Sequence, residues 1–246
     1  MSIISSPQNP VVKRIRSLAE KKYRVETGLF VAEGEKVLAR AKTSGWQPET
    51  VLSTGAASPW GVNGLLTVTA DVMTKVSAQK NPPALLATFA QRLAPRIEAK
   101  GIWLALEEMR DPGNLGTIIR TADAVGVSGV ILVGTSCDPW GPDCVRATMG
   151  SIFAVPICQM VNGDFPALVR HWPGETVGTH LGASLDYRRT YSLPTLVVMG
   201  SEARGLSREV AEVCSTLVRI PMREGIESLN VAIAAGLMLY EVARLR

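Results

Sequence analysis

Apolar residues recur along this chain with two different textures, and the change from one to the other falls near residue 95. Ahead of it, Asn9-Pro10 opens a helix, because asparagine caps helix N-termini and proline fits the first turn. Val12, Ile15 and Ala19, with Val11 and Leu18 beside them, form its apolar stripe. A second helix is predicted from about Glu35, with Val37, Leu38 and Ala41 inward, ending near Gly45. Short β-like runs follow at Val51-Leu52, Leu66-Thr67-Val68 and Leu85-Leu86-Ala87-Thr88-Phe89. Together they predict a small α/β domain over residues 1–95. The stretch 91–100 has no strand pattern and carries Arg92, Pro95, Arg96 and Lys100, as a linker would.

Beyond it, Trp103-Leu104-Ala105-Leu106, Val130-Ile131-Leu132-Val133 and Leu196-Val197-Val198-Met199 are near-continuous apolar runs. That is the pattern of strands covered on both faces. Helical segments lie between them at about 116–125, 142–148 and 207–214. The alternation predicts an α/β domain over residues 96–246, a mostly parallel sheet with helices on both faces. Ligands of such sheets sit at the carboxyl ends of the strands, which singles out the loops after residues 106, 133, 199 and 220. The last helix, Asn230 to about Arg244, has two apolar stripes: Val231, Ala235, Met238 and Val242, then Ala232, Gly236, Leu239 and Ala243. A helix apolar on two faces must be covered twice. Its own sheet supplies one cover; either a partner subunit or a deeper intramolecular position supplies the other.

Composition narrows this picture. Of 246 residues, 46% are hydrophobic and 20% charged, so a core can form. No apolar stretch reaches the ~18–20 residues a bilayer needs and no secretory signal is visible, so a cytoplasmic location is expected. Cys137, Cys144, Cys158 and Cys214 match no zinc spacing and no disulfide framework. With only His171 and His180 besides, no metal site is expected. The net charge of +4 is unevenly placed: Lys13, Arg14, Arg16, Lys21, Lys22 and Arg24 face a single Glu20. Such a run is a solvated helix face, a transit peptide or a phosphate footprint. Its direct passage into structured sequence counts against a transit peptide.

Three loops after apolar strands carry the chemistry. The first is Glu107-Glu108-Met109-Arg110-Asp111-Pro112-Gly113-Asn114-Leu115-Gly116, with Arg120 one helical turn further on. The second, Met199-Gly200-Ser201-Glu202-Ala203-Arg204-Gly205-Leu206-Ser207, holds a carboxylate between two glycines. The third runs from Ile220-Pro221-Met222 through Ser228-Leu229-Asn230 into the last helix. Neither GxGxxG nor GxxxxGK[ST] occurs. From the residues alone, the reading stops at an α/β domain with three candidate ligand loops.

These segments, DPGNLGTIIRTADAVG, VVMGSEARGLS and IPMREGIESLNVAIAAGLMLYE, resemble in order the three signature motifs of the SpoU/TrmH family of RNA ribose methyltransferases, in the SPOUT superfamily. The N-terminal part is similar to the family's auxiliary RNA-binding domain through Ser6, residues 9–13 and residues 28–34. The resemblance implies a C-terminal trefoil knot that binds S-adenosylmethionine, and a homodimer whose subunits meet beside it. Carried over by motif, Asn114, Arg120, Glu202, Ser228 and Asn230 are the catalytic residues, and Met199, Gly200, Ile220, Met222 and Leu229 hold the cofactor. The substrate implied is RNA, ribosomal rather than transfer RNA, methylated at a ribose 2′-hydroxyl. The basic residues from Lys13 to Arg24, with Arg92, Arg96 and Lys100, are then candidate phosphate contacts. Tyr23 and Phe30 are stacking candidates, Phe30 being favoured as core. Two other readings remain: an inactive RNA-binding or ribosome-assembly protein of the same fold, and a base-nitrogen methyltransferase.

Overall fold

The computed structural model describes residues 3–62 and 64–244. It begins with α1 (Pro10–Ser17), α2 (Lys21–Thr27), β1 (Leu29–Glu33), α3 (Glu35–Thr43), β2 (Thr50–Ser53), β3 (Leu65–Thr67), α4 (Ala70–Val76) and β4 (Leu85–Ala90). Next come β5 (Ile102–Glu107), α5 (Pro112–Val125), β6 (Gly129–Val133), α6 (Pro142–Ala147), β7 (Ile157–Met160) and α7 (Phe165–Arg170). The last elements are β8 (Glu175–Thr179), β9 (Leu185–Asp186), β10 (Thr195–Met199), α8 (Arg208–Val213), β11 (Thr216–Arg219) and α9 (Val231–Ala243). Two compact units result: the chain up to Arg92 together with Asp138–Ala154, and Leu93–Cys137 together with the chain from Val155 on.

The first unit is built on a mixed sheet of order β1-β4-β2-β3. The Asn9 side chain caps α1, accepting from Val11 N at 2.9 Å. Val12 and Ile15 pack against Val72, Met73 and Val76 of α4 and against Leu52 and Leu86 of the sheet. Val37, Leu38 and Ala41 are the buried residues of α3, as its periodicity predicts.

The basic run expected as one helix is two. α1 stops at Ser17, and the Arg24 guanidinium folds back to donate to the carbonyls of Leu18 and Ala19, at 2.7 and 2.8 Å. Its Nε and Nη2 meet Asp138 at 2.9 and 2.8 Å, and the residue is 4% exposed. Arg24, expected among the phosphate contacts, is therefore an internal strut. Residues 138–154 join this unit because Trp140 and Phe153 complete an aromatic cluster with Phe30, Trp46 and Phe89. Ring centroids lie 4.7 Å apart for Phe30–Trp140 and 4.9 Å for Phe89–Phe153. Trp46 Nε1 donates to the Phe153 carbonyl at 2.9 Å. Phe30 is fully buried there, which makes it core and removes it as a stacking platform.

The second unit is a seven-stranded sheet, wholly parallel, of order β7-β6-β5-β10-β8-β11-β9. Alternation along the strands sends Trp103, Ala105, Ile131, Val133, Leu196 and Val198 to one face, where Phe165 and Val169 of α7 and Val210 of α8 cover them. On the other face α9 packs on β10 and α5 on β6, and the two helices pack on each other. Asp111 caps α5 by accepting from Asn114 N at 2.6 Å, and Gly126 ends it in the left-handed region. Among the described residues no helix is long and apolar enough to cross a membrane.

Candidate active site

Strand direction places the site. With every strand parallel, the ends of β8, β10 and β11 lie side by side, and the chain leaves all three on one edge of the sheet. Their loops surround a cavity of about 450 Å³. Met199, Gly200, Ile220, Met222 and Leu229 all line it, and so do Glu202 and Ser228. The loop after β10 is a tight turn in which Ser201 and Gly205 exchange backbone hydrogen bonds of 3.0 and 2.9 Å. Only glycine fits at position 200: a Cβ there would stand about 2 Å from the backbone of Gly205 and Leu206. Glu107, at the end of β5, accepts from Ser207 N at 2.8 Å and ties that turn to the neighbouring strand.

A second cavity of about 510 Å³ adjoins the first and shares Ser201, Glu202, Ala203 and Arg204 with it; Glu108, Arg110, Asp111 and Asn114 complete the wall. Here the three loops meet. Asn230 accepts from the N–H groups of Ala232 and Ile233 through Oδ1, at 2.9 and 3.3 Å, which caps α9. Its Nδ2 donates to Asn114 Oδ1 at 3.0 Å. One amide thus starts a helix and fixes another amide. Glu202 accepts from the backbone N–H of Arg110 and of Asp111, both at 3.3 Å, bridging the first and second loops. Glu108 has a φ of 51°, and a hydrogen bond from Asn162 with the nearby Arg204 and Arg110 guanidiniums holds its carboxyl below the ordinary range.

Of the residues expected at the reaction centre, Asn114, Glu202, Ser228 and Asn230 come together around these two cavities or their shared rim. Arg120 does not: it is exposed on α5 and lines neither cavity. Thr179, His180 and Leu181 also line the wall, and no pattern in the sequence singled them out. Thr179 ends β8 and the other two follow it, and the sequence of that strand, ETVGT, lacks an apolar run.

In the first unit, Lys13, Arg14, Arg16, Lys21 and Lys22 are exposed on α1 and α2. Arg14 pairs with Glu49 at 2.9 Å and Lys22 with Glu26 at 3.9 Å, both in reach of solvent. Arg92 stacks 4.3 Å from the Trp46 ring. In the second unit, Arg96 and Lys100 both pair with Glu98. Among the described residues no group of three or more His, Cys, Asp or Glu is placed to hold a metal ion.

Residues 101–240 match the SpoU rRNA methylase family, and residues 9–87 match the MRM3-like substrate binding domain. The chain is similar to the crystal structure of an AdoMet-bound rRNA methyltransferase from Sinorhizobium meliloti. The TM-score is 0.90 at 41% identity, over 99% of this chain and 97% of that one. It is 31% identical to a 23S rRNA (uridine(2479)-2'-O)-methyltransferase of Streptomyces viridochromogenes, over 93% of this chain and 87% of the relative. A 23S rRNA (guanosine(2553)-2'-O)-methyltransferase of Bacillus subtilis is 29% identical over 98% of this chain and 99% of its own length.

Proposed function

We propose that this chain, which belongs to the SpoU rRNA methylase family, transfers the methyl group of S-adenosylmethionine to a ribose 2′-hydroxyl of ribosomal RNA. The observation that carries the reading is the cavity at the ends of β8, β10 and β11, where all five cofactor candidates converge. Its volume of about 450 Å³ suits a small cofactor. Met199, Ile220, Met222 and Leu229 offer apolar walls to a flat ring, while Glu202, Glu227 and Arg219 supply charges for an amino-acid tail. When bound, S-adenosylmethionine supplies a methyl group activated by a positively charged sulfur. Relatives that modify a uridine and a guanosine share the sugar rather than the base as target, which supports ribose here.

The protein's own part is positioning. Asn230 holds the Asn114 carbonyl oxygen, which leaves the Asn114 NH₂ to donate to a substrate oxygen. Glu202 keeps the backbone of Arg110 and Asp111 in register with the turn after β10. Arg120 serves as a phosphate and hydroxyl ligand: a guanidinium presents five N–H donors and no acceptor, which makes it a poor base.

A homodimer completes the site. On α9, Ile233, Leu237 and Tyr240 are exposed at 58%, 37% and 60%, a continuous apolar stripe opposite the buried one. A second copy covers this stripe, and Arg120, which lines neither cavity of its own chain, reaches the partner's. The exposed cations of α1 and α2 hold the RNA backbone, and the protein works in the cytoplasm. The deciding assay incubates total RNA with labelled cofactor and maps the label, since 2′-O-methylation alone resists alkaline cleavage at the modified nucleotide. Label on a base nitrogen would refute the ribose assignment; equal labelling by wild type and Arg120→Ala would refute the role of Arg120. Cofactor binding without label in any RNA would leave an RNA-binding protein without turnover.

A further inference from the structure

The cavity beside the cofactor site contains a charge arrangement that the reaction as described leaves unused. Two arginines from different loops converge on one carboxylate. Arg110 Nη2 stands 3.6 Å from Glu108 Oε2, Arg204 Nη2 contacts that same oxygen, and Asn162 Nδ2 donates to Oε1 at 3.2 Å. The Glu108 side chain is 17% exposed, whereas those of Arg110 and Arg204 are 61% and 75% exposed. The anion is thus largely covered, and the two cations stand at the mouth.

The remaining acids of this cavity are tied to backbone donors: Asp111 to Asn114 N, and Glu202 to the N–H groups of Arg110 and Asp111. Carboxylates held in this way still have lone pairs for hydroxyl donors and repel phosphate. Guanidiniums at the mouth have the opposite preference, since their planar fork matches phosphate oxygens. The wall therefore has a polarity that fits a nucleotide entering ribose first. Its volume of about 510 Å³ accommodates one.

We propose that Arg110 and Arg204 form a clamp for the phosphates flanking the methylated ribose, with Glu108 as the fixed counter-ion that holds both guanidiniums in place before RNA arrives. The inference rests on the proposed RNA methyltransferase reading. Binding exchanges one partly covered carboxylate for two phosphates, and each arginine follows its own loop. Removing either should therefore weaken RNA capture without altering the cofactor cavity's apolar walls.

The test uses the full chain with unmethylated ribosomal RNA transcripts. Arg110→Ala and Arg204→Ala should each raise KM for RNA about tenfold; in Arg110→Ala, whose side chain lines only the second cavity, kcat should hold and S-adenosylmethionine affinity by calorimetry should be unchanged. In the double variant, the slope of log binding constant against log salt should fall by roughly 1.4 if the flanking RNA is single-stranded. Arg204→Lys should retain part of the affinity, because it keeps the charge and loses the fork. Unchanged KM and salt slope in a folded double variant would overturn the clamp, as would a loss of kcat alone. A wild-type chain that binds cofactor and methylates no ribosomal RNA would fail the underlying reading instead.

Discussion

Asn230 performs two tasks with one amide, and substitution can separate them. Asn230→Ala removes the cap on Ala232 N and Ile233 N together with the donor to Asn114. A lost asparagine cap costs ~1 kcal/mol. The lost side-chain hydrogen bond adds ~1 kcal/mol. For a chain of this size, about 2 kcal/mol lowers the melting temperature by about 4–8 °C. Asn230→Asp keeps an acceptor at the same place, and its negative charge at a helix N-terminus contributes ~0.3–1 kcal/mol. It offers no donor, so Asn114 must turn its NH₂ toward the new carboxylate and away from substrate. Asn230→Asp should therefore melt within about 2 °C of wild type. Its kcat should nevertheless fall on the order of 100-fold, the scale of a misplaced catalytic group. Differential scanning fluorimetry with single-turnover methylation reads both quantities. An Asn230→Asp protein that melts like Asn230→Ala would refute the cap reasoning, and one with wild-type turnover would refute the orientation of Asn114.

Arg24→Ala should destabilise the first unit by ~3–5 kcal/mol in urea, because it leaves Asp138 and two carbonyls without their buried partner. Lys13→Ala, at an exposed position, should change stability by less than ~0.5 kcal/mol while weakening RNA binding; equal stability losses would contradict the burial argument. Gly200→Ala drives a methyl group into the backbone of Gly205 and Leu206, so cofactor affinity by calorimetry should fall at least ~100-fold. Wild-type affinity would mean that the turn does not shape the cavity. Burial, with the charge of Glu107 nearby, pushes the Cys214 thiol up to about 12. Its neutral form is favoured in the fold, so the associated stability is intact below about pH 9, the unfolded value, and is lost as pH rises toward 12. Iodoacetamide at pH 8 should leave Cys214 unmodified in the native protein, and rapid alkylation there would count against that shift.

The sequence by itself determined what depends on neighbours three, four or two residues apart. Val37, Leu38 and Ala41 face inward on α3 because helical spacing puts them there. The runs at 103–106, 130–133 and 196–199 are buried on both faces because a parallel sheet needs them so. Even the meeting of the loops after 106, 199 and 220 follows from a rule about strand ends. Polar strands escape such reasoning, and β8, reading ETVGT, took Thr179, His180 and Leu181 out of view with it. Tertiary structure alone decided pairings between residues far apart in the chain. Arg24 looked like one more surface cation until Asp138, 114 positions away, was brought against it. Asn230 and Asn114, 116 positions apart, meet only because β10 lies between β5 and β8 and α9 packs across α5. Residues 138–154 sit between strands of the second unit in sequence, yet belong to the first through Trp140 and Phe153. Periodicity records which face of an element is apolar; which other face it meets depends on the order of strands in the sheet, and no local pattern encodes that order.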